Sequence, residues 1–183
     1  TGAGASYADV RVVARQTEVV QVRNGRLVGV DRDDDEGVGI RVIVDGAWGF
    51  AAIDRIEGRS IDEAALRAVR IARASARVGG PPVRLAPVPV VIDTYSTPVA
   101  IDPFAVSAAT KADLLLRTDE AMSRVPGVRV RSGSTEIVRE ERFYASSEGS
   151  RIEQTITESG AGFDATATSD DEVQTRSYPS SFG

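Results

Sequence analysis

Two short turns in the first fifty residues leave few folds open to this chain. Asn24-Gly25 and Asp45-Gly46 each pair two residues that accept a positive φ angle, as a type I′ hairpin turn requires. Apolar and polar residues alternate before the first turn at 10–14, and strand-like segments follow it at 26–30 and 39–44. Such alternation is typical of half-buried strands. Residues 1–50 therefore predict an antiparallel meander of four or five strands.

An acidic run from Asp31 to Glu36 lies between these hairpins. The spacing Asp31-x-Asp33-x-Asp35 matches the opening of a calcium-binding loop, where alternate side chains converge on one cation. However, Glu36 stands where that loop needs glycine, and Val42 stands where it needs a bidentate glutamate. We therefore interpret the run as a solvated acidic turn between two strands.

The spacing of apolar residues becomes helical after residue 60. Ser60 and Glu63 fit a capping box, and Gly79-Gly80-Pro81-Pro82 ends the predicted helix. An arginine stripe on the opposite face is interpreted as a solvated surface, with an anion or subunit contact as the alternative. The apolar face comprises Ile61, Ala64, Ala65, Ala68, Val69 and Ala72, and the stripe comprises Arg67, Arg70, Arg73 and Arg77.

A second helix is predicted at 107–124, after a proline-rich segment in which only residues 88–92 resemble a strand. Its inward-facing residues are expected to be Ala112, Leu115, Met122 and Val125. The helix is expected to end at Pro126-Gly127, beyond which the sequence reads as strands again.

The strands after Gly127 resemble those at the beginning of the chain. Two segments match at one constant offset and a third at a slightly larger one, with a longer turn at 146–149 between them. This order predicts an internal duplication, and the missing helix before the first copy suggests that the chain starts after its natural beginning. The expected fold is α+β, with two related antiparallel β-meander units and helices packed on the sheets, divided at 1–80 and 81–183. The matching pairs are Val10-Arg11-Val12 with Val128-Arg129-Val130, Thr17-Glu18-Val19-Val20 with Thr135-Glu136-Ile137-Val138, and Gly37-Val38-Gly39-Ile40 with Gly160-Ala161-Gly162-Phe163.

The chain contains no histidine and no cysteine. It therefore lacks the usual ligands of a zinc site, the base of a Ser-His-Asp triad and the thiolate of a cysteine protease. The serines at 132–134 and 146–147 would need Lys111, the one lysine, as a base, but no S-x-x-K spacing links them. We interpret these serines as hairpin residues. A catalytic pair among the carboxylates stays open.

The remaining motifs have structural interpretations. Gly37-x-Gly39 and Gly160-x-Gly162 lead into strands and lack the third glycine of a dinucleotide fingerprint, so bulges or close backbone approaches are expected. Trp48 and Phe50 are expected in the core. We expect no metal, cofactor or catalytic residue in this chain, and the sequence does not indicate which residues contact a substrate.

Charge and hydropathy limit the partners. The net charge of −5 makes nucleic acid an unlikely partner, because binding several phosphates needs a basic face. No apolar run approaches the ~20 residues that span a bilayer. Residues 1–5 are small and uncharged, unlike a signal peptide, and cysteine is absent, so we expect a cytoplasmic protein.

Six segments, in order along nearly the whole chain, closely resemble the N-terminal region of TldD/PmbA proteins, which were labelled modulators of DNA gyrase and are assigned as zinc metallopeptidases. The hairpin containing Trp48 and the ending at 177–179 resemble the TldD side more than the PmbA side. The segments are Ala5-Ser6-Tyr7-Ala8-Asp9-Val10-Arg11, Val22-Arg23-Asn24-Gly25-Arg26, Glu36-Gly37-Val38-Gly39-Ile40-Arg41-Val42, Asp45-Gly46-Ala47-Trp48-Gly49-Phe50-Ala51, Phe143-Tyr144-Ala145-Ser146-Ser147-Glu148-Gly149-Ser150 and Glu172-Val173-Gln174-Thr175-Arg176-Ser177-Tyr178-Pro179.

The resemblance implies that this chain supports a catalytic site without contributing residues to it. The zinc ligands of TldD-type proteins lie in an H-E-x-x-x-H helix beyond the matched region, so zinc is implied for the full-length parent and this chain alone is expected to be inactive. Family members form homodimers or heterodimers with a paralogue, around a cavity that admits extended or unfolded peptides. The chain would then be the N-terminal scaffold and chamber wall of a metallopeptidase. The alternative is a non-catalytic binding or assembly module that takes up a peptide or protein partner at its sheet edges.

Overall fold

The computed structural model describes residues 4–179, in which seven strands and two helices form an α+β fold. The strands build one sheet in the order β3-β2-β1-β5-β6-β4, and β7 pairs with β6. β2–β3 and β6–β7 are antiparallel, whereas β4 runs parallel to β6. The α+β prediction is confirmed, and the expectations about residues 1–3 lie outside the described residues. The elements are β1 (Tyr7–Arg23), β2 (Arg26–Val44), β3 (Ala47–Ile53), α1 (Gly58–Val78), β4 (Ile92–Ser96), α2 (Ala108–Ser123), β5 (Val128–Ser146), β6 (Arg151–Thr168) and β7 (Val173–Tyr178).

The first fifty residues form fewer and longer strands than predicted. β1 and β2 have 17 and 19 residues, and the acidic run from Asp31 to Glu36 lies inside β2 and fully exposed. The prediction of an acidic turn, and of four or five strands, was therefore wrong. Aspartate has a low strand propensity, but this preference depends on context and is outweighed where pairing with a neighbouring strand extends the backbone and the side chains reach water.

Both hairpin turns are confirmed. Asn24 and Gly25 have φ angles of 47° and 72°, and Asp45 and Gly46 have 51° and 75°. The Asn24 side chain also accepts a hydrogen bond from the backbone nitrogen of Arg131 at 2.8 Å. The first turn is thereby tied to β5 as well as closing its own hairpin.

The described chain divides into two compact units, each assembled from three separate segments. Within the described residues, unit 1 consists of 4–15, 34–97 and 140–156, and unit 2 consists of 16–33, 98–139 and 157–179. The long strands contribute residues to both units. The predicted boundary at residue 80 and the predicted duplication remain predictions.

The core of unit 1 lies where α1 packs on β1, β2 and β3. Ala64, Ala68, Val69 and Ala72 are buried against alternate residues of β2, which confirms the predicted apolar face of α1. A Cβ atom on Gly49 would lie 2.0 Å from the carbonyl oxygen of Ala68, so the helix approaches β3 at van der Waals distance only because residue 49 has no side chain.

The capping box predicted for α1 was wrong. The helix begins at Gly58, its N-cap is Glu57, and no side chain caps it. Ser60 lies inside the first turn because the helix starts three residues earlier than the motif suggested. The predicted C-terminal end is confirmed, with Gly79 as the C-cap.

The core of unit 2 forms under α2, which begins at its N-cap Ser107. Ala112 and Leu115 are buried as predicted, together with Val20 and Val22 of β1. Val125 is 54% exposed, so its predicted inward orientation was wrong, and Met122 is half-buried. The helix ends at Ser123, before Val125 can follow its apolar face.

Two strand predictions near prolines and serines also need correction. Residues 88–91 lie outside any strand and β4 starts at Ile92, because Pro87 and Pro89 cannot donate to a sheet ladder. Residues 132–134 lie inside β5 and not in a turn, whereas 146–149 do close the β5–β6 connection. Neither helix of the described chain is long and apolar enough to cross a membrane.

Candidate functional site

One side of the unit 1 sheet carries α1, and the other side carries a cluster of arginine and aromatic side chains. The register Gly39↔Ala52, Arg41↔Phe50 and Ile43↔Trp48 places these pairs on one face, because residues directly opposite in an antiparallel ladder share a face. The alternate residues of β2 point to α1. We call the side away from α1 the open face; it is formed by Tyr7, Asp9, Arg11, Gly39, Arg41, Trp48 and Phe50, with Tyr144 beside it.

A buried ion pair lies at the centre of the open face. Arg41 donates to Asp9 through Nε at 3.0 Å and through Nη2 at 2.7 Å. The Asp9 side chain is 0% exposed, whereas that of Arg41 is 39% exposed. The hydrogen bonds to Asp9 raise the pKa of Arg41, against the opposing effect of burial. This fork fixes the guanidinium plane, so Arg41 is a preorganised part of the face.

Aromatic rings pack around this ion pair. The rings of Tyr7 and Trp48 meet edge to face with centroids 5.9 Å apart, and the guanidinium of Arg41 lies 5.3 Å from the Trp48 ring centroid. The hydroxyls of Tyr7 and Tyr144 are 3.2 Å apart. Burial, followed by the hydrogen bond with Tyr144, raises the pKa of Tyr7 well above its usual 10.0. Tyr7 therefore stays protonated throughout the physiological range.

Arg11 differs from Arg41 in being available to a ligand. Its side chain is 58% exposed, and its Nε lies 3.7 Å from Asp9, beyond hydrogen-bond distance. The guanidinium lies 5.5 Å from the Tyr144 ring centroid, which holds the side chain across the face. Two guanidiniums thus surround one carboxylate, and the cluster of Asp9, Arg11 and Arg41 carries a net positive charge.

A groove of about 400 Å³ runs from this cluster along β2 and β3. Its floor includes Gly37, Gly39 and Ala52, and Phe50 forms one side with 54% of its surface exposed. A Cβ atom on Gly39 would lie 3.2 Å from the Phe50 ring, closer than side chains normally pack. The glycine therefore lets the ring lie across β2, which agrees with the predicted close approach at Gly37-x-Gly39. The prediction that Phe50 lies in the core was wrong; Trp48 is half-buried.

Unit 2 contains a second charged cluster, with a different character. Lys111 donates to Glu18 at 2.5 Å, and Arg32 approaches the other carboxylate oxygen of Glu18 at 2.6 Å. Burial by itself would raise the pKa of Glu18, but the hydrogen bonds from Lys111 and Arg32 outweigh it and hold the pKa below its usual 4.5. Lys111 is engaged in this cluster, which agrees with the interpretation that it does not activate a serine.

The residues present do not fit the zinc that the resemblance implies for a longer parent. Histidine and cysteine are absent from the sequence, and within 4–179 no three acidic side chains lie close enough together to hold a metal ion. The acidic run of β2 is spread along an exposed strand, where alternate side chains point to opposite faces.

The arginine stripe of α1 is exposed along its length, as predicted. Arg67 reaches back from the stripe and donates to the carbonyl oxygen of Ala52 at 2.7 Å. Arg67 and Arg70 also border a small hollow of about 230 Å³ beside Ser60 and Glu63. The alternative of an anion or subunit contact on this stripe stays a prediction.

Sequence reasoning missed the Asp9–Arg41 pair and the Glu18–Lys111 pair, for different reasons. A continuous count back from the Asn24-Gly25 turn pairs Asp9 with Ile40 and would place Arg41 on the other face of the sheet, so this count does not predict the Asp9–Arg41 pair. Glu18 and Lys111 are 93 residues apart and lie on different elements, so no local spacing predicts that they meet.

Two domains of one family match successive segments of the chain. Residues 8–72 match "PmbA/TldA metallopeptidase domain 1", and residues 101–183 match "PmbA/TldA metallopeptidase central domain". The chain belongs to the PmbA/TldD metallopeptidase family. The segment matched by the first PmbA/TldD domain contains both hairpin turns, nearly all of β1, the whole of β2 and β3, and most of α1. The segment matched by the central domain contains α2, β5, β6 and β7.

Known PmbA/TldD relatives agree in sequence and in fold. The chain is 30% identical over 172 residues to a metalloprotease of Methanothermobacter thermautotrophicus, covering 92% of this chain and 36% of the relative. It is 26% identical over 153 residues to a metalloprotease of Methanocaldococcus jannaschii, covering 82% and 33%. A solved structure described as a candidate modulator of DNA gyrase from Bacteroides thetaiotaomicron has the same fold, with a TM-score of 0.74, 14% identity, and 96% and 40% coverage.

The chain thus spans about a third of the length of the curated relatives that it matches. The family resemblance predicted from the sequence is confirmed. Its placement on the TldD side of the family remains a prediction.

Proposed function

We propose that this chain is the scaffold and substrate-chamber portion of a TldD-like zinc metallopeptidase that acts on unfolded or extended peptides. The observation that carries the proposal is the open face of unit 1, an apolar groove beside a preorganised cluster of arginine and aromatic side chains. One side of this sheet is filled by α1, so the groove lies on the side left free to line a chamber.

The family relationship supports a peptidase context for this wall. Both matched domains carry the metallopeptidase description, and the two archaeal relatives are metalloproteases. The residues described here supply no zinc ligand set, so in this proposal the metal and its activated water belong to a part of the parent polypeptide that the sequence above does not contain. The proposal includes a cytoplasmic location and assembly as a homodimer or a heterodimer with a paralogue.

The test compares two polypeptides on one unfolded peptide substrate with added zinc. The polypeptide encoded by the complete natural gene is expected to cleave the peptide, and a chelator is expected to abolish that cleavage. The 183-residue chain is expected to leave the peptide intact. Chelator-sensitive hydrolysis by the 183-residue chain, or no hydrolysis by the natural polypeptide, would refute the proposal.

A second candidate function is a non-catalytic module that binds a partner strand by its sheet edge. β3 pairs with β2 only from Val38 to Val44, so residues 26–37 of β2 extend beyond the end of β3. Leu27 and Val28 are more than half exposed there, and the acidic run follows them. Acidic side chains on an edge repel unspecific pairing, so a partner strand would have to be basic.

Exchange of backbone amide hydrogens tests this alternative. A basic strand that pairs with β2 would protect the amides of 26–37 that point away from β1 and leave those of β3 unchanged. Absence of protection in the presence of a lysine-rich β-strand peptide would exclude edge pairing of this kind.

A further inference from the structure

We propose that the open face binds an apolar peptide segment, and that a carboxylate of this peptide binds Arg11. The inference rests on the proposed function, because it names the chemical class of substrate that this wall would contact. It concerns a subsite built only from residues of unit 1, and three features of that subsite lead to it.

The first feature is the shape and polarity of the groove. Its volume of about 400 Å³ falls in the range of ligand sites, and most of its lining is glycine or aliphatic. Gly37, Gly39 and Ala52 leave the floor low, and Phe50 provides an exposed ring along one side. An extended peptide with small apolar side chains fits this floor, whereas a strongly polar ligand would lose hydration without gaining partners.

The second feature is an imbalance of charge at one end of the groove. Three hydrogen bonds hold the Arg41 guanidinium against Asp9, whereas Arg11 approaches the same carboxylate only at 3.7 Å. One guanidinium therefore remains available to form a charge-assisted hydrogen bond. A ligand with one negative charge at its end would neutralise the net positive charge of Asp9, Arg11 and Arg41. A ligand with a cationic end would be repelled.

The third feature is that Arg11 is positioned while still reaching water. Its guanidinium lies over the Tyr144 ring, and Tyr144 is held in turn by the hydroxyl of Tyr7. An arginine held in this way loses less side-chain freedom on binding than a free surface arginine would. The carboxylate could come from a peptide C-terminus or from an Asp or Glu side chain, since both present the same two oxygens.

Titration calorimetry of the 183-residue chain tests the inference with four short acetylated peptides of alternating valine and alanine. The first ends in a free carboxylate, the second in an amide, the third in an amide after a glutamate, and the fourth in an amide after a phosphoserine. The free-acid or the glutamate peptide is expected to bind about tenfold more tightly than the plain amide, as for one charge-assisted contact. The arm that binds identifies the source of the carboxylate. Equal affinities of all four peptides, or tightest binding of the phosphoserine peptide, would overturn the inference.

Variants locate the contact. Arg11→Gln is expected to remove the tenfold preference, and Arg11→Lys is expected to retain part of it. Arg129→Gln changes another exposed arginine, in unit 2, and is expected to bind like the unchanged chain. Gly39→Ala is expected to weaken all four peptides by displacing the Phe50 ring, whereas Gly160→Ala adds a Cβ in open space and serves as its control. An unchanged preference in Arg11→Gln would contradict the proposal.

These measurements are independent of hydrolysis. Carboxylate-dependent binding without chelator-sensitive cleavage by the natural polypeptide would support the subsite and refute the peptidase proposal. Cleavage by the natural polypeptide without any carboxylate preference in binding would support the peptidase proposal and refute the subsite.

Discussion

Asp9 accepts both arms of the Arg41 fork while its own carboxylate is fully shielded from water, with the shorter contact at 2.7 Å. An ionised carboxylate that is removed from water depends on its partners, because its burial costs several kcal/mol when they are absent. The pair therefore fixes the position of β1 relative to β2. It also sets which of the two arginines around Asp9 is left for a ligand.

Replacing Asp9 with alanine is expected to destabilise the fold by about 2 to 3 kcal/mol, because Arg41 then remains partly buried without its partner. The estimate is at the low end for a buried pair since the Arg41 side chain is 39% exposed and can be hydrated. Urea unfolding measures the change. Asp34→Ala removes an exposed acid of β2 and is expected to shift stability by less than about 0.5 kcal/mol. Equal effects of the two substitutions would contradict this role for Asp9.

Lowering the pH is expected to remove the contribution of Glu18 to stability. The folded-state pKa of Glu18 is depressed, so the unfolded chain binds a proton more readily, and folding is favoured above the unfolded pKa. This contribution should be complete above the ordinary value of 4.5 and should be lost as the pH falls through the lower, folded-state pKa. Urea unfolding of the unchanged chain and of Glu18→Gln across this range should give stabilities that differ near neutral pH and converge in acid. A constant difference would rule out Glu18 as the titrating group.

Gly49→Ala is expected to destabilise unit 1 by about 3 kcal/mol or more, because the added Cβ would overlap the backbone of α1. The nearest atom is the Ala68 carbonyl oxygen at 2.0 Å, which cannot move without displacing the helix. Gly58→Ala is the matched control, since no atom lies within 4 Å of its added Cβ. It should be neutral or stabilise α1 slightly, because alanine restricts the unfolded chain. Thermal unfolding followed by circular dichroism distinguishes the two.

Alkaline titration should reveal one tyrosine that ionises late. The pKa of Tyr7 is raised by burial and by its hydrogen bond with Tyr144, so its phenolate should form only well above pH 10.0. Because the folded-state pKa is the higher one, this stabilising contribution is present below the unfolded pKa and is lost as the pH rises toward the folded pKa. Phenolate absorbance should show the late step in the unchanged chain and not in Tyr7→Phe. Persistence of that step in Tyr7→Phe would assign it to another of the four tyrosines.

Much of the fold follows from local signals in the sequence. The turns at Asn24-Gly25 and Asp45-Gly46 required residues with positive φ, and the apolar face of α1 required a helical period; all three appear in the structure. Each of these features depends on residues that are close together in the sequence, where the spacing of residue types determines the backbone conformation.

The errors arose where a neighbouring element decided the outcome. The acidic run of β2 reads as a loop by composition, but pairing within the sheet keeps it extended. Phe50 reads as a core residue by its apolar ring, but the core lies on the other face of its strand. The alternation of apolar residues in β1 and β2 indicates which face of the sheet is buried, but it does not indicate which charged and aromatic side chains meet on the other face.

The three-segment construction of each unit has a consequence for the growing polypeptide. Unit 1 contains residues from both 4–15 and 140–156, and the contact between the Tyr7 and Tyr144 hydroxyls spans 137 positions. During synthesis, the first hairpin and α1 leave the ribosome long before the strand that completes their unit. Long-range pairing of this kind slows folding and leaves early strands exposed. The exposed acidic residues of β2 would then help to keep the nascent hairpin soluble until residues 140–156 have been synthesised.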